Sequence, residues 1–118
     1  MFAATRLGAM CRSLKVLCVA ETAPALSALK AAAVSAEWEL LPGASSEEEA
    51  LRQLHEERPH VAVVFGPYER FVASALEAIP GLRVITDRDL PGASAVAASL
   101  EEVRGAVLGR PRPGGPVR

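Results

Sequence analysis

Pro59-His-Val-Ala-Val-Val-Phe-Gly-Pro67 is the stretch that decides the fold. Its inner part, Val61 to Phe65, is apolar at every position and so has no solvent face, and prolines and a glycine close it at both ends. A strand of that kind is buried on both sides and belongs in the middle of a parallel sheet covered by helices. Two further runs have the same character: Lys15-Val-Leu-Cys-Val-Ala20, which stops at Glu21-Thr22-Ala23-Pro24, and Leu82-Arg-Val-Ile-Thr86. Trp38-Glu-Leu-Leu41 alternates more weakly before Pro42-Gly43 and predicts a short strand with Trp38 at the sheet margin.

Between these runs the apolar period changes from strand to helix. Leu26, Leu29, Ala33 and Val34 predict a helix over 24–35, with Pro24 in its first turn and Thr22 or Ala23 at its cap. The second helix has the best start signal in the chain. Ser45 or Ser46 is the cap, Glu48 or Glu49 stands three residues on, and Glu47, Glu48 and Glu49 set negative charge at the positive helix end. Ala50, Leu51 and Leu54 give it a buried face, and Pro59 stops it. A third helix carries Phe71, Val72, Ala75, Leu76 and Ile79 and ends at Pro80-Gly81.

Strands alternating with helices across short loops predict an α/β, doubly wound, flavodoxin-like three-layer sandwich. Its sheet is mainly parallel, with four to five strands in the order 2-1-3-4 and a fifth strand, if formed, following the fourth. The end of the chain admits two readings. Val96, Leu100, Val103 and Val107 share helical spacing, so 94–109 reads as one amphipathic helix ending at Gly109. Ser99 with Glu102 instead reads as a capping box, starting the helix at Leu100 and leaving Ala95 to Ala98 as a strand. A parallel crossover needs about a dozen residues, and few separate Thr86 from Gly92, which favours the single helix.

At 118 residues the chain has the length of one domain. That domain is expected over 14–109, with an N-terminal arm at 1–13 and a Pro/Gly/Arg tail at 110–118, both expected to be disordered. Half the residues are hydrophobic but only 4% are aromatic, so the core is built from small aliphatic side chains. The net charge of -1 offers no basic stripe for nucleic acid or anionic membrane. Cys11 and Cys18 form neither a disulfide framework nor a Cys-x-x-Cys site, and Cys18 lies in a buried run. The interrupted apolar stretch before residue 14 is too short for a signal core, so a cytoplasmic location is the expectation.

In a doubly wound sheet, ligands sit beyond the carboxyl ends of the strands. Here those ends are Ala20 to Thr22, Gly43 to Ser46, Phe65 to Tyr68 and Thr86 to Asp89. Ser45 and Ser46 offer a helix start to an anion, and Arg88 offers a cation. Tyr68 and Phe71 read as an exposed aromatic patch for a partner. Asp87-Arg88-Asp89 reads equally as a surface turn that satisfies its own charges, and exposed pairs favour that reading. His55 and His60 have no companion at metal-ligand spacing, and no Gly-rich phosphate cradle exists.

Val16-Leu-Cys-Val-Ala-Glu21, Pro59-His-Val-Ala-Val-Val-Phe65, Val84-Ile-Thr86 and Gly92-Ala93 followed by Ser99-Leu-Glu-Glu-Val103 together resemble the receiver domains of two-component response regulators. The resemblance covers about 15–109 and implies a pocket at the strand ends. It places Phe65 at the family's phosphorylated aspartate, Ala20 at one of its two metal-binding acids and Ser99 at its lysine. Glu21 and Thr86 are what remains of that pocket. Phe65 supplies no oxygen nucleophile and Glu21 alone is a poor metal site, so the resemblance implies a pseudo-receiver. The expectation is a protein-interaction module in signalling or regulation, with no enzyme activity and no cofactor. Its partner is another protein, and a homodimer is an allowed assembly. The alternative is a domain that binds a small anion or nucleotide in the strand-end crevice through Ser45, Ser46, Thr86 or Arg88.

Overall fold

The computed structural model describes residues 14–109. The expected arm and tail lie outside the described residues, as does Cys11. Among the described residues five strands form one parallel sheet: β1 Leu14–Val19, β2 Trp38–Leu40, β3 Val61–Val64, β4 Arg83–Thr86 and β5 Ala95–Val96. Their order is β2-β1-β3-β4-β5, the doubly wound order expected from the sequence. The helices are α1 Ala23–Ala33, α2 Glu47–Glu57, α3 Glu69–Ala78 and α4 Val103–Leu108, the last preceded by a 3-10 turn at Leu100–Glu102.

Alternation along the strands divides the core in two. Val16, Cys18, Val61, Val63 and Ile85 face one side, where they meet Leu29 and Ala33 of α1 and Val103 and Val107 of α4. Leu17, Val19, Ala62, Val64 and Val84 face the other, against Ala50 and Leu54 of α2 and Phe71, Val72 and Ala75 of α3. Both faces of β1 and β3 are therefore covered, as their unbroken apolar runs require. Burying each such aliphatic side chain contributes about 1.5–3 kcal/mol. Burial also pushes the Cys18 thiol up to about 12, which makes it an inert core residue.

The helix ends follow their caps. Thr22 accepts from the Ala25 N–H at 3.2 Å, and Ser46 accepts from the Glu49 N–H at 3.2 Å. Trp38, 6% exposed, donates its indole N–H to the Ala33 carbonyl at 2.8 Å and so closes the end of α1. Arg58 ends α2 in the left-handed conformation, with its N–H on the Leu54 carbonyl, just before Pro59. The charged end of α2 is a solvated surface: Arg52 pairs with Glu56 at 2.9 Å, and Lys15 with Glu57 at 3.3 Å.

The single helix favoured for 94–109 does not form. The capping-box alternative is closer to the structure, with a two-residue β5 followed by the 3-10 turn and α4. Residues 87–94 make the parallel crossover without a helix because α3 holds them down. Leu90 packs on the α3 side of the core, and Gly92 passes so close that a Cβ there would lie 2.7 Å from Leu76 and 3.5 Å from Val72. With φ at +89°, Gly92 also takes a backbone conformation that side chains disfavour. Ser94 then locks the register: its N–H donates to the Val84 carbonyl at 2.7 Å, and its hydroxyl accepts from the Val84 N–H at 3.1 Å. The expected cap bond of Ser99 is not made, while Glu102 reaches back to accept from the Ala98 N–H at 3.1 Å.

Arg83, at the start of β4, anchors the far end of α4. Its guanidinium donates to the Val107 carbonyl at 3.0 Å and to the Ala106 carbonyl at 3.1 Å. A cation on the last carbonyls of a helix satisfies orphan acceptors and opposes the helix dipole. Arg83→Met is expected to cost about 1–2 kcal/mol. Urea unfolding will measure the loss, and faster amide exchange confined to α4 will locate it; an unchanged midpoint would refute the anchoring role.

Candidate functional site

Register aligns the carboxyl ends of the strands. Ala44, Val19, Val64, Thr86 and Val96 stand in one row across the sheet. One residue further, the Phe65 N–H donates to the Val19 carbonyl at 2.8 Å, and the Ala97 N–H donates to the Thr86 carbonyl at 2.7 Å. Ala20, Phe65, Asp87 and Ala97 thus form the next row. Three of the four are apolar: Ala20 and Ala97 are inside the α1–α4 side of the core, and the half-buried Phe65 packs on that same cluster. After β1, β3 and β5 the strand ends carry hydrocarbon, where the receiver resemblance implies an acidic pocket, and the carboxylate of the row is that of Asp87 after β4.

Above this row the loops after β1, β3 and β4 meet. Gly66 is buried at φ +133°, and a Cβ on it would lie 2.8 Å from Glu21 Cγ and 3.0 Å from the Tyr68 ring. Tyr68 crosses to the first loop and donates its hydroxyl to the Ala20 carbonyl at 3.1 Å. Partial burial and the nearby charges of Glu21 and Glu47 push its phenol above the usual 10.0. The Gly66 N–H donates to Asp87 Oδ1 at 3.2 Å. Arg88 grips the same carboxylate with Nε on Oδ1 at 2.9 Å and Nη2 on Oδ2 at 3.0 Å. Burial works to raise the Asp87 carboxyl, but the Arg88 fork and the Gly66 N–H outweigh it and hold the group below 3.8.

The residues singled out in the sequence divide accordingly. Glu21, Tyr68 and Arg88 come together at the strand ends. Thr86 is fully buried and donates its hydroxyl to the Arg88 carbonyl, which ties down the start of the crossover. Ser45 is exposed, and the Ser46 hydroxyl is engaged as the α2 cap. Ser99 is exposed at the start of the 3-10 turn, and the position in line with Ala20 and Phe65 is Ala97. Phe71 is not a surface aromatic. It is fully buried on the α2–α3 side of the core, because its helical face points at the sheet.

Gly66 and Asp87 were not singled out as site residues. Gly66 reads in sequence as a strand stop, and Asp87 as part of a surface turn. That turn does satisfy its own charges, since Arg88 closes on Asp87, but the bond to Gly66 joins it to β3 as well. His60 accepts the Lys15 N–H on Nδ1 at 3.0 Å at the opposite end of the sheet. Among the described residues, no group of three His, Cys, Asp or Glu side chains could hold a metal ion, and no helix is long and apolar enough to cross a membrane.

No protein-family model matches the sequence, and no curated protein matches it. Solved structures do resemble its fold. The response regulator receiver domain protein (CheY-like) from Methanospirillum hungatei JF-1 superposes with a TM-score of 0.67 at 16% identity, over 82% of this chain and 92% of that one. The response regulator domain of Thermotoga maritima CheB gives 0.62 at 17% identity, over 83% and 92% of the two chains. A two component transcriptional regulator AraC from Clostridium phytofermentans ISDg gives 0.62 at 17% identity, over 82% and 90%. The chain therefore has the flavodoxin-like fold of CheY-like receiver domains, a likeness of architecture that leaves the chemistry to be argued from its own residues.

Proposed function

We propose that this chain is a receiver-like protein-interaction module in signalling or regulation that works without being phosphorylated. The observation that carries the reading is the apolar character of Ala20, Phe65 and Ala97 at the ends of β1, β3 and β5. A phosphoryl acceptor needs an oxygen nucleophile and a metal-binding carboxylate beside it; Phe65 and Ala20 supply neither, and the Asp87 carboxylate of the same row is engaged by Arg88 and the Gly66 N–H. A fold that keeps its sheet order while closing its strand ends with Phe65 is suited to presenting a surface. That surface is the strand-end cluster of Glu21, Tyr68 and Arg88, where a half-buried aromatic lies beside the exposed Glu21 over Gly66. The small-ligand alternative has less to work with, since Ser46 is engaged as a cap, Thr86 is buried and Arg88 is closed on Asp87.

Incubation with acetyl phosphate and Mg²⁺ tests the reading directly. The intact mass is expected to stay unchanged, and the amide spectrum of the strand ends with it. Addition of one phosphoryl group to the folded chain would overturn the proposal.

A further inference from the structure

An ion pair between neighbours such as Asp87 and Arg88 is ordinarily a weak surface feature. Two things set this one apart. A donor from another strand end, the Gly66 N–H, joins the guanidinium on the carboxylate, so Oδ1 accepts twice and Oδ2 once. The Arg88 backbone is also fixed, because the buried Thr86 hydroxyl holds its carbonyl. A backbone N–H and a planar guanidinium converging on one carboxylate are the parts of an anion site.

We infer that Asp87 is a resident anion, occupying a small carboxylate- or phosphate-binding site made by the Gly66 N–H and the Arg88 guanidinium, and that these donors take an external anion once Asp87 is removed. The inference rests on the reading above in one respect, that the crevice is not built to receive a phosphoryl group. It adds the reason that its donors are already satisfied from within. A tethered carboxylate competes at a high effective concentration, so the wild-type chain excludes free anions from the crevice. Glu21 is a second competitor, since it lies over Gly66 and its negative charge acts on Arg88.

The test titrates inorganic phosphate, at constant ionic strength, into the full chain and its variants, reading the Gly66 amide and Arg88 Nε resonances. Wild type is expected to show no saturable shift. Asp87→Ala is expected to bind phosphate about tenfold more tightly or better, as release of an internal competitor predicts. Glu21→Gln added to it should tighten binding further, and Arg88→Gln added to it should return the response to that of wild type. Absence of a saturable Gly66 shift in both Asp87→Ala and Glu21→Gln/Asp87→Ala overturns the inference, as does binding that survives Arg88→Gln. If alanine disturbs the loop, Asp87→Asn keeps the shape and drops the charge. It should then gain a phosphate response at Arg88, and its failure to do so also overturns the inference. Phosphorylation by acetyl phosphate would sink the earlier reading while leaving this titration to stand or fall alone.

Discussion

Phe71→Ala is expected to destabilise the domain by about 3–5 kcal/mol, the range for truncating a fully buried aromatic where the surroundings close only in part. Phe71 is the largest of the fully buried side chains among the described residues. It shares its cluster with Leu17, Val19, Val64 and Val84 of the sheet and with Leu54 of α2. A cavity there opens against strands whose registers are fixed by their ladders, and the sheet cannot collapse into it. Domains of this size are stable by roughly 5–15 kcal/mol, so the variant loses a large part of the margin. Urea denaturation will show a much lower midpoint with little change in slope. A midpoint within a few tenths of a molar of wild type, accompanied by lost partner binding, would return Phe71 to the surface role its nearness to the strand-end loop suggests in sequence.

The case of Phe71 shows where the sequence is ambiguous. Phe71, Val72, Ala75, Leu76 and Ile79 specify an apolar helix face, and that face points at a sheet. Nearness to Pro67 and Tyr68 suggests instead a strand-end surface. The two inferences conflict, and periodicity is the stronger because it reports the direction of a side chain while nearness to a loop reports only its neighbourhood. The central strands were legible for a similar reason: each is a local run that cannot be exposed on either face. Ser46 and Thr22 were legible as caps because the bond they make is three residues long.

The parts that were not legible depend on residues far apart in sequence. A crossover through 87–94 looks too short until α3 is in place to hold Leu90 and Gly92, and no local signal in 87–94 announces that support. Arg83 gives no local sign of its role, because its partners are two carbonyls with no signature of their own. The strand-end cluster was half legible. The doubly wound rule brings Glu21, Tyr68 and Arg88 to one edge, but the contact that organises them runs from Asp87 to a glycine N–H 21 residues away.

Gly66 is the second position where a large effect is expected. Gly66→Ala should cost about 2–4 kcal/mol, combining a backbone conformation open essentially only to glycine with loss of the Tyr68 hydrogen bond. At φ +133° an alanine is strained whatever space surrounds it, and here there is none. Glu21 is exposed and can swing away from the new methyl, but the Tyr68 ring, 3.0 Å from it, is held at its hydroxyl by the Ala20 carbonyl. Moving the ring breaks that bond and loosens the link between the first and third loops. The effect should therefore be visible twice, as a lower unfolding midpoint and as shifted resonances for Tyr68, Ala20 and Asp87 in the fraction that stays folded. A Gly66→Ala protein with wild-type stability and an unmoved Tyr68 would mean that β3 leaves the sheet by another backbone path. Phe71→Ala provides the contrast, because it weakens the core beneath α3 while removing none of the hydrogen-bonding groups of the strand-end cluster. If that cluster is the docking surface, Gly66→Ala should reduce partner binding by more than its loss of folded protein explains, and Phe71→Ala only in proportion to unfolding.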